Sequence, residues 1–98
     1  MSKLESEIQG SIIGALEARG CFVLKTSLCN KNGFPDLTVL MPPTTKRNSV
    51  KIFCLEVKVP GEDPDPLQFY RHKELRGYGL ETYTVYSKEE ALQIFRGK

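Results

Sequence analysis

The run Val50-Lys51-Ile52-Phe53-Cys54-Leu55-Glu56-Val57-Lys58-Val59 decides how this chain is read. Its β-branched and aromatic residues, partly alternating, predict a strand. Side chains alternate across a strand, so Val50, Ile52, Cys54, Glu56 and Lys58 share one side. Phe53, Leu55, Val57 and Val59 share the other. The apolar neighbours imply burial, yet Glu56 and Lys58 bring opposite charges to one face. Burying ions is costly unless they are paired or bound to a metal.

Asp36 raises the same problem twenty residues upstream, opening the apolar run Asp36-Leu37-Thr38-Val39-Leu40 straight after the Gly33-Phe34-Pro35 turn. If the two strands are neighbours, Asp36 comes beside Glu56. Carboxylates converging on a strand backbone make a hard-oxygen cage suited to Mg²⁺ or Mn²⁺, with the Val57 carbonyl able to complete it. The chemistry such a cage supports is phosphodiester hydrolysis. Lys58 would then orient or deprotonate the attacking water, or stabilise the charge that develops. A Glu-x-Lys pair on its own reads more simply as a surface ion pair on an edge strand.

Working outward, Ser2 and Glu5 form a capping box for a first helix with Leu4, Ile8, Ile12, Ala15 and Leu16 at helical spacing. Gly20 closes it. Glu5 and Gln9 lie along one edge of that stripe. Cys21–Lys25 is a short strand, Asn30–Gly33 a turn, and Pro42-Pro43 ends the strand begun at Asp36. After the acidic loop Pro60–Pro66, Asp65 and Pro66 read as N-cap and first residue of a helix reaching Gly77 or Gly79. Thr82–Tyr86 is a further strand, and a capping box from Ser87 to Glu90 opens a last helix with Ala91, Leu92 and Phe95. The predicted order is αβββαβα in one domain, residues 1–98.

Composition excludes more than it identifies. Forty per cent hydrophobic and 27% charged residues are those of a globular domain, not a disordered or collagen-like chain. A membrane span is not expected, since it needs about 18 apolar residues in a row and the longest runs are far shorter. Fourteen basic against twelve acidic residues leave +2, which permits nucleic acid as a partner without requiring it. Cys21, Cys29 and Cys54, an odd number without C-x-x-C spacing, read as reduced thiols. With no leader pattern, a cytoplasmic location is expected.

The order Gly33-Phe34-Pro35-Asp36, nineteen residues, then Glu56-Val57-Lys58 is the PD-(D/E)XK nuclease pattern on that superfamily's element order. More closely, the chain resembles the VRR-NUC (virus-type replication-repair nuclease) family. The features are Glu5 to Gln9, Gly20, Gly33-x-Pro35-Asp36-Leu37, Glu56-Val57-Lys58, Gly61 and Pro66-Leu67-Gln68. The resemblance implies a restriction-endonuclease-like α/β fold: an αβββαβ core with a short C-terminal helix and a mixed sheet flanked by helices. It implies Asp36 and Glu56 as metal ligands, Lys58 as the catalytic lysine and Gln68 beside the active site. The family's first-helix acid aligns with Gln9, a departure that leaves Glu5, one turn earlier, as the alternative ligand.

The same resemblance implies a Mg²⁺- or Mn²⁺-dependent endonuclease of phage or bacterial type. Its expected substrate is structured DNA, four-way (Holliday) junctions and flaps among it, and its expected state a homodimer. The alternative is a catalytically weak nucleic-acid-binding or assembly module on the same fold. Phe69, Tyr70, Tyr78 and Tyr83 are read first as core packing and second as dimer contacts. Lys25, Lys31, Lys46, Arg47, Lys51 and Arg71 are candidates for phosphate contact. His72, four residues after Gln68, reads first as a helix-surface residue and second as a support for the site.

Overall fold

A computed structural model describes residues 3–46, 49–62 and 65–98. Helix α1 (Lys3–Glu17) leads into strands β1 (Phe22–Lys25), β2 (Leu37–Met41) and β3 (Lys51–Val57). Helix α2 (Pro66–Gly77), strand β4 (Glu81–Val85) and helix α3 (Lys88–Arg96) complete the chain. The expected order and fold class hold. Ser2, the expected cap of α1, lies outside the described residues, as do Arg47 and part of the acidic loop.

The sheet order is β1-β2-β3-β4. The first three strands form an antiparallel meander, whereas β4 runs parallel to β3. A parallel neighbour requires a crossover, and α2 is that crossover. Leu37 faces Leu55 across the β2–β3 ladder, so Asp36, one residue earlier, arrives at the level of Glu56.

One sheet face carries the core. Val39, Phe53, Leu55, Val57 and Val85 pack with Ile12 and Leu16 of α1 and with Ala91 and Leu92 of α3. Each fully buried large side chain contributes about 1.5–3 kcal/mol. The α1 stripe sits deeper along the helix than its spacing suggests: Leu4 is half exposed, while Gln9 is buried with Ile12 and Leu16. The opposite face is covered by α2 only where it lies over β4 and the end of β3.

Local chemistry explains the joints. Gly20 ends α1 at φ 87°, a left-handed conformation that costs glycine little. Gly33 has φ 81°, and a Cβ there would stand 3.0 Å from both the side chain and the carbonyl oxygen of Leu67. The turn before Asp36 is therefore pressed against the first turn of α2. Asp65 caps that turn, accepting from Leu67 N–H at 2.9 Å and Gln68 N–H at 3.4 Å, with Pro66 as first helical residue.

Candidate active site

Asp36 and Glu56, 7% and 2% exposed, are buried acids at the end of an apolar sheet. Their positions are held from several sides. The Asp36 backbone carbonyl accepts from Thr26 N–H at 2.8 Å, and the Thr26 hydroxyl donates to Pro35 O at 2.9 Å. The Asp36 Oδ2 atom in turn accepts from Val57 N–H at 2.8 Å, tying the carboxyl to β3 beyond the last β2–β3 pair. Glu56 Oε2 accepts from Gln68 Nε2 at 2.8 Å, so the cap at Asp65 and the glutamine it positions act on the same carboxyl.

Burial is the largest cause that raises the Asp36 pKa to about 7, and the close approach of the Glu56 carboxyl adds to it. The Val57 N–H and the Lys58 charge oppose that rise. Glu56 is also raised, chiefly by burial. Two carboxyls thus share a site where both cannot comfortably ionise without a cation. Glu5 feels the same field: burial raises its pKa, and Asp36 and Glu62 raise it further. Of the two first-helix candidates, Glu5 brings charge to bear on the pair. Gln9 is buried with its Nε2 lacking a hydrogen-bond partner.

His72 is corrected from a helix-surface residue to a buried one, 5% exposed, with Nε2 3.5 Å from Glu56 Oε1. The α2 crossover turns this face of the helix onto the acids, and His72 is the buried residue of α2. Burial lowers its pKa. The expected core role of Phe69, Tyr70 and Tyr78 also fails: they are 69%, 60% and 84% exposed, because α2 meets the sheet through its polar residues. Tyr83 alone of that group packs against the core.

The donor set suits a hard divalent cation. Glu56 Oε1 and Gln68 Oε1 are buried oxygens without a hydrogen-bond partner, next to a second carboxyl. Among the described residues no three His, Cys, Asp or Glu side chains converge to hold an ion by themselves. The set is therefore a carboxylate pair to be completed by backbone or amide oxygens and by water, as Mg²⁺ commonly accepts. A groove of about 320 Å³ opens before it, lined by Glu56, Lys58, Gln68 and His72 and also by Phe69, Arg76 and Tyr86.

Two of the basic candidates are already engaged. Lys51 pairs with Glu81 at 3.7 Å, and Arg71 pairs with Glu74 and donates to Asn32 O at 2.9 Å. Cys21 and Cys54 are buried and Cys29 is exposed, all as free thiols. Sequence reasoning missed Thr26, whose signal is slight: a lone threonine just after a strand. No helix among the described residues is long and apolar enough to cross a membrane.

No family model matches the sequence, and no curated protein does. A solved structure titled "VRR_NUC domain" is similar, with a TM-score of 0.77 and 28% identity over 97% of each chain. The resemblance to the VRR-NUC family, drawn from motif order, holds in three dimensions.

Proposed function

We propose that this chain, on its VRR-NUC-like fold, is a nuclease that hydrolyses DNA phosphodiester bonds with Mg²⁺ or Mn²⁺. Its preferred substrates are structured DNAs, four-way junctions and flaps, cut in the cytoplasm by a homodimer. The observation that carries the reading is the Asp36–Glu56 pair, buried and held by Val57 N–H and Gln68 beside a groove that Lys58 lines. Asp36 and Glu56 would hold the ion, with the Val57 carbonyl and Glu5 or the Gln9 amide oxygen completing its oxygen donors. When bound, such an ion supplies Lewis-acid activation of the phosphoryl group and the attacking water.

The remaining work falls to side chains. Lys58 orients the water and stabilises negative charge growing on the phosphoryl oxygens. Gln68 fixes one oxygen of Glu56 and leaves the other free for the ion. His72 flanks that second oxygen without a hydrogen bond to it. The cross-strand row of exposed Phe22, half-buried Leu40 and exposed Ile52 on the uncovered sheet face is apolar surface available to a second copy. A twofold dimer would present two sites to a twofold junction.

The unpartnered amide nitrogen of Gln9, at the position where the family's first helix carries an acid, favours a second reading, a binding module without turnover. Labelled four-way junction, flap and linear duplex incubated with Mg²⁺, Mn²⁺ or EDTA separate the two. The nuclease reading expects metal-dependent cleavage that Lys58→Ala and Glu56→Ala remove. Tight junction binding with no cleavage in either metal would establish the binding module instead.

A further inference from the structure

Besides Glu56 and Lys58, the groove is lined by two aromatic rings, Phe69 and Tyr86. Neither ring is in the core: Phe69 is 69% and Tyr86 39% exposed. Both ride on fixed backbone. Phe69 follows Gln68 in the capped first turn of α2, and its N–H donates to Asp65 O at 3.0 Å. Tyr86 N–H donates to Glu90 Oε1 at 2.9 Å, where α3 begins. Two exposed aromatic rings on a rigid frame, in the groove that Glu56 lines, are a surface suited to a flat ligand.

Charge narrows the ligand. The groove is also lined by the carboxyls of Glu62 and Asp65, which disfavour a phosphate directly beside them. Arg76 adds a planar guanidinium, with Nη2 donating to Thr82 O at 3.2 Å, and Thr84 adds a hydroxyl. A neutral heterocycle with donor and acceptor edges fits walls of this mixed polarity beside the two rings.

We infer that Phe69 and Tyr86 form a stacking subsite for an unpaired nucleobase of the substrate strand, in the same groove as the phosphate held at Glu56 and Lys58. The inference rests on the nuclease reading and names its substrate class: DNA with unstacked bases at the cut, such as a flap or branch point. A base leaves a continuous duplex only at the cost of unpairing and unstacking, whereas a single-stranded base is already free. Aromatic stacking is tolerant of sequence, so selectivity would follow structure rather than base identity.

The test is equilibrium binding by fluorescence anisotropy in EDTA, using a labelled flap and a labelled blunt duplex of equal length. The wild-type chain should bind the flap more tightly. Phe69→Ala and Tyr86→Ala should each weaken flap binding by about 5- to 100-fold and shrink the preference over duplex. Phe69→Trp should retain the preference, and Tyr78→Ala, an exposed aromatic outside this groove, should leave both affinities unchanged. Equal binding of both DNAs by the wild type, or equal losses on both in Phe69→Ala, would overturn the subsite. A Phe69-dependent preference in a protein that never cuts would overturn the nuclease reading alone. Cleavage in Mn²⁺ with no dependence on Phe69 would do the reverse.

Discussion

The two ends of one sheet face obey opposite rules. Toward the ends of β2 and β3 that lie near α2, the acids Asp36 and Glu56 are buried. Toward the other end, the cross-strand row Phe22, Leu40 and Ile52 faces outward, with Phe22 63% and Ile52 46% exposed. Charge is inside and hydrocarbon outside, the reverse of what burial energies favour. The cause is the β3–α2–β4 crossover: one helix must serve this face, and it covers the acids. On the proposed function, the covered end serves the chemistry and the other is open to association.

The largest expected effect comes from Lys58→Ala, which should lower metal-dependent cleavage by about 10²–10⁴-fold. Glu56→Gln should also remove cleavage while the melting temperature without metal holds or rises, because a buried acid is relieved. A Glu56→Gln protein that loses cleavage only because it unfolds would break the contrast. Next in size is Gln68→Ala, expected to cost about 10–100-fold in activity by removing the amide that fixes Glu56 Oε2.

A smaller effect is the pH dependence of stability without metal. The Asp36 pKa rises from 3.8 to about 7 on folding, so the fold binds its proton more tightly than the unfolded chain does. That contribution is fully present below 3.8 and is lost as pH rises through about 7. Melting temperatures should therefore fall from pH 5 to pH 8 more in the wild type than in Asp36→Asn. His72, lowered by burial, acts oppositely as pH falls below 6.5, which makes the difference between the two proteins the quantity to compare. Smallest of all, Phe22→Ser and Ile52→Ser should change monomer stability by no more than about 0.5 kcal/mol. In sedimentation velocity the same pair should loosen a dimer, and an unchanged dimer would move the association surface elsewhere.

The element order was legible because its signals are local: a capped helix at Asp65-Pro66, turn residues at Asn30–Gly33, an apolar β3. Asp36 beside Glu56 was legible too, since charges in apolar strands need company. What escaped was α2. Its spacing suggests an apolar face of Leu67, Tyr70 and Leu75, yet Leu67 and Tyr70 are exposed and His72 is buried. A helix that packs onto polar groups has no hydrophobic stripe to announce its orientation, so periodicity is silent on which face turns inward. The burial of Gln9, named from the sequence as a candidate, was not legible for a related reason: its amide interrupts the apolar stripe of Ile8, Ile12 and Leu16.

The central claim is that the buried acid pair is a cation site. Isothermal titration of Mn²⁺ at pH 8 into the wild type, Glu56→Gln and Asp36→Asn tests it most directly. The wild type should bind Mn²⁺ and each variant should lose at least about tenfold in affinity, one carboxylate being removed from a pair. Equal affinity in all three proteins, or no binding by the wild type, would contradict the account.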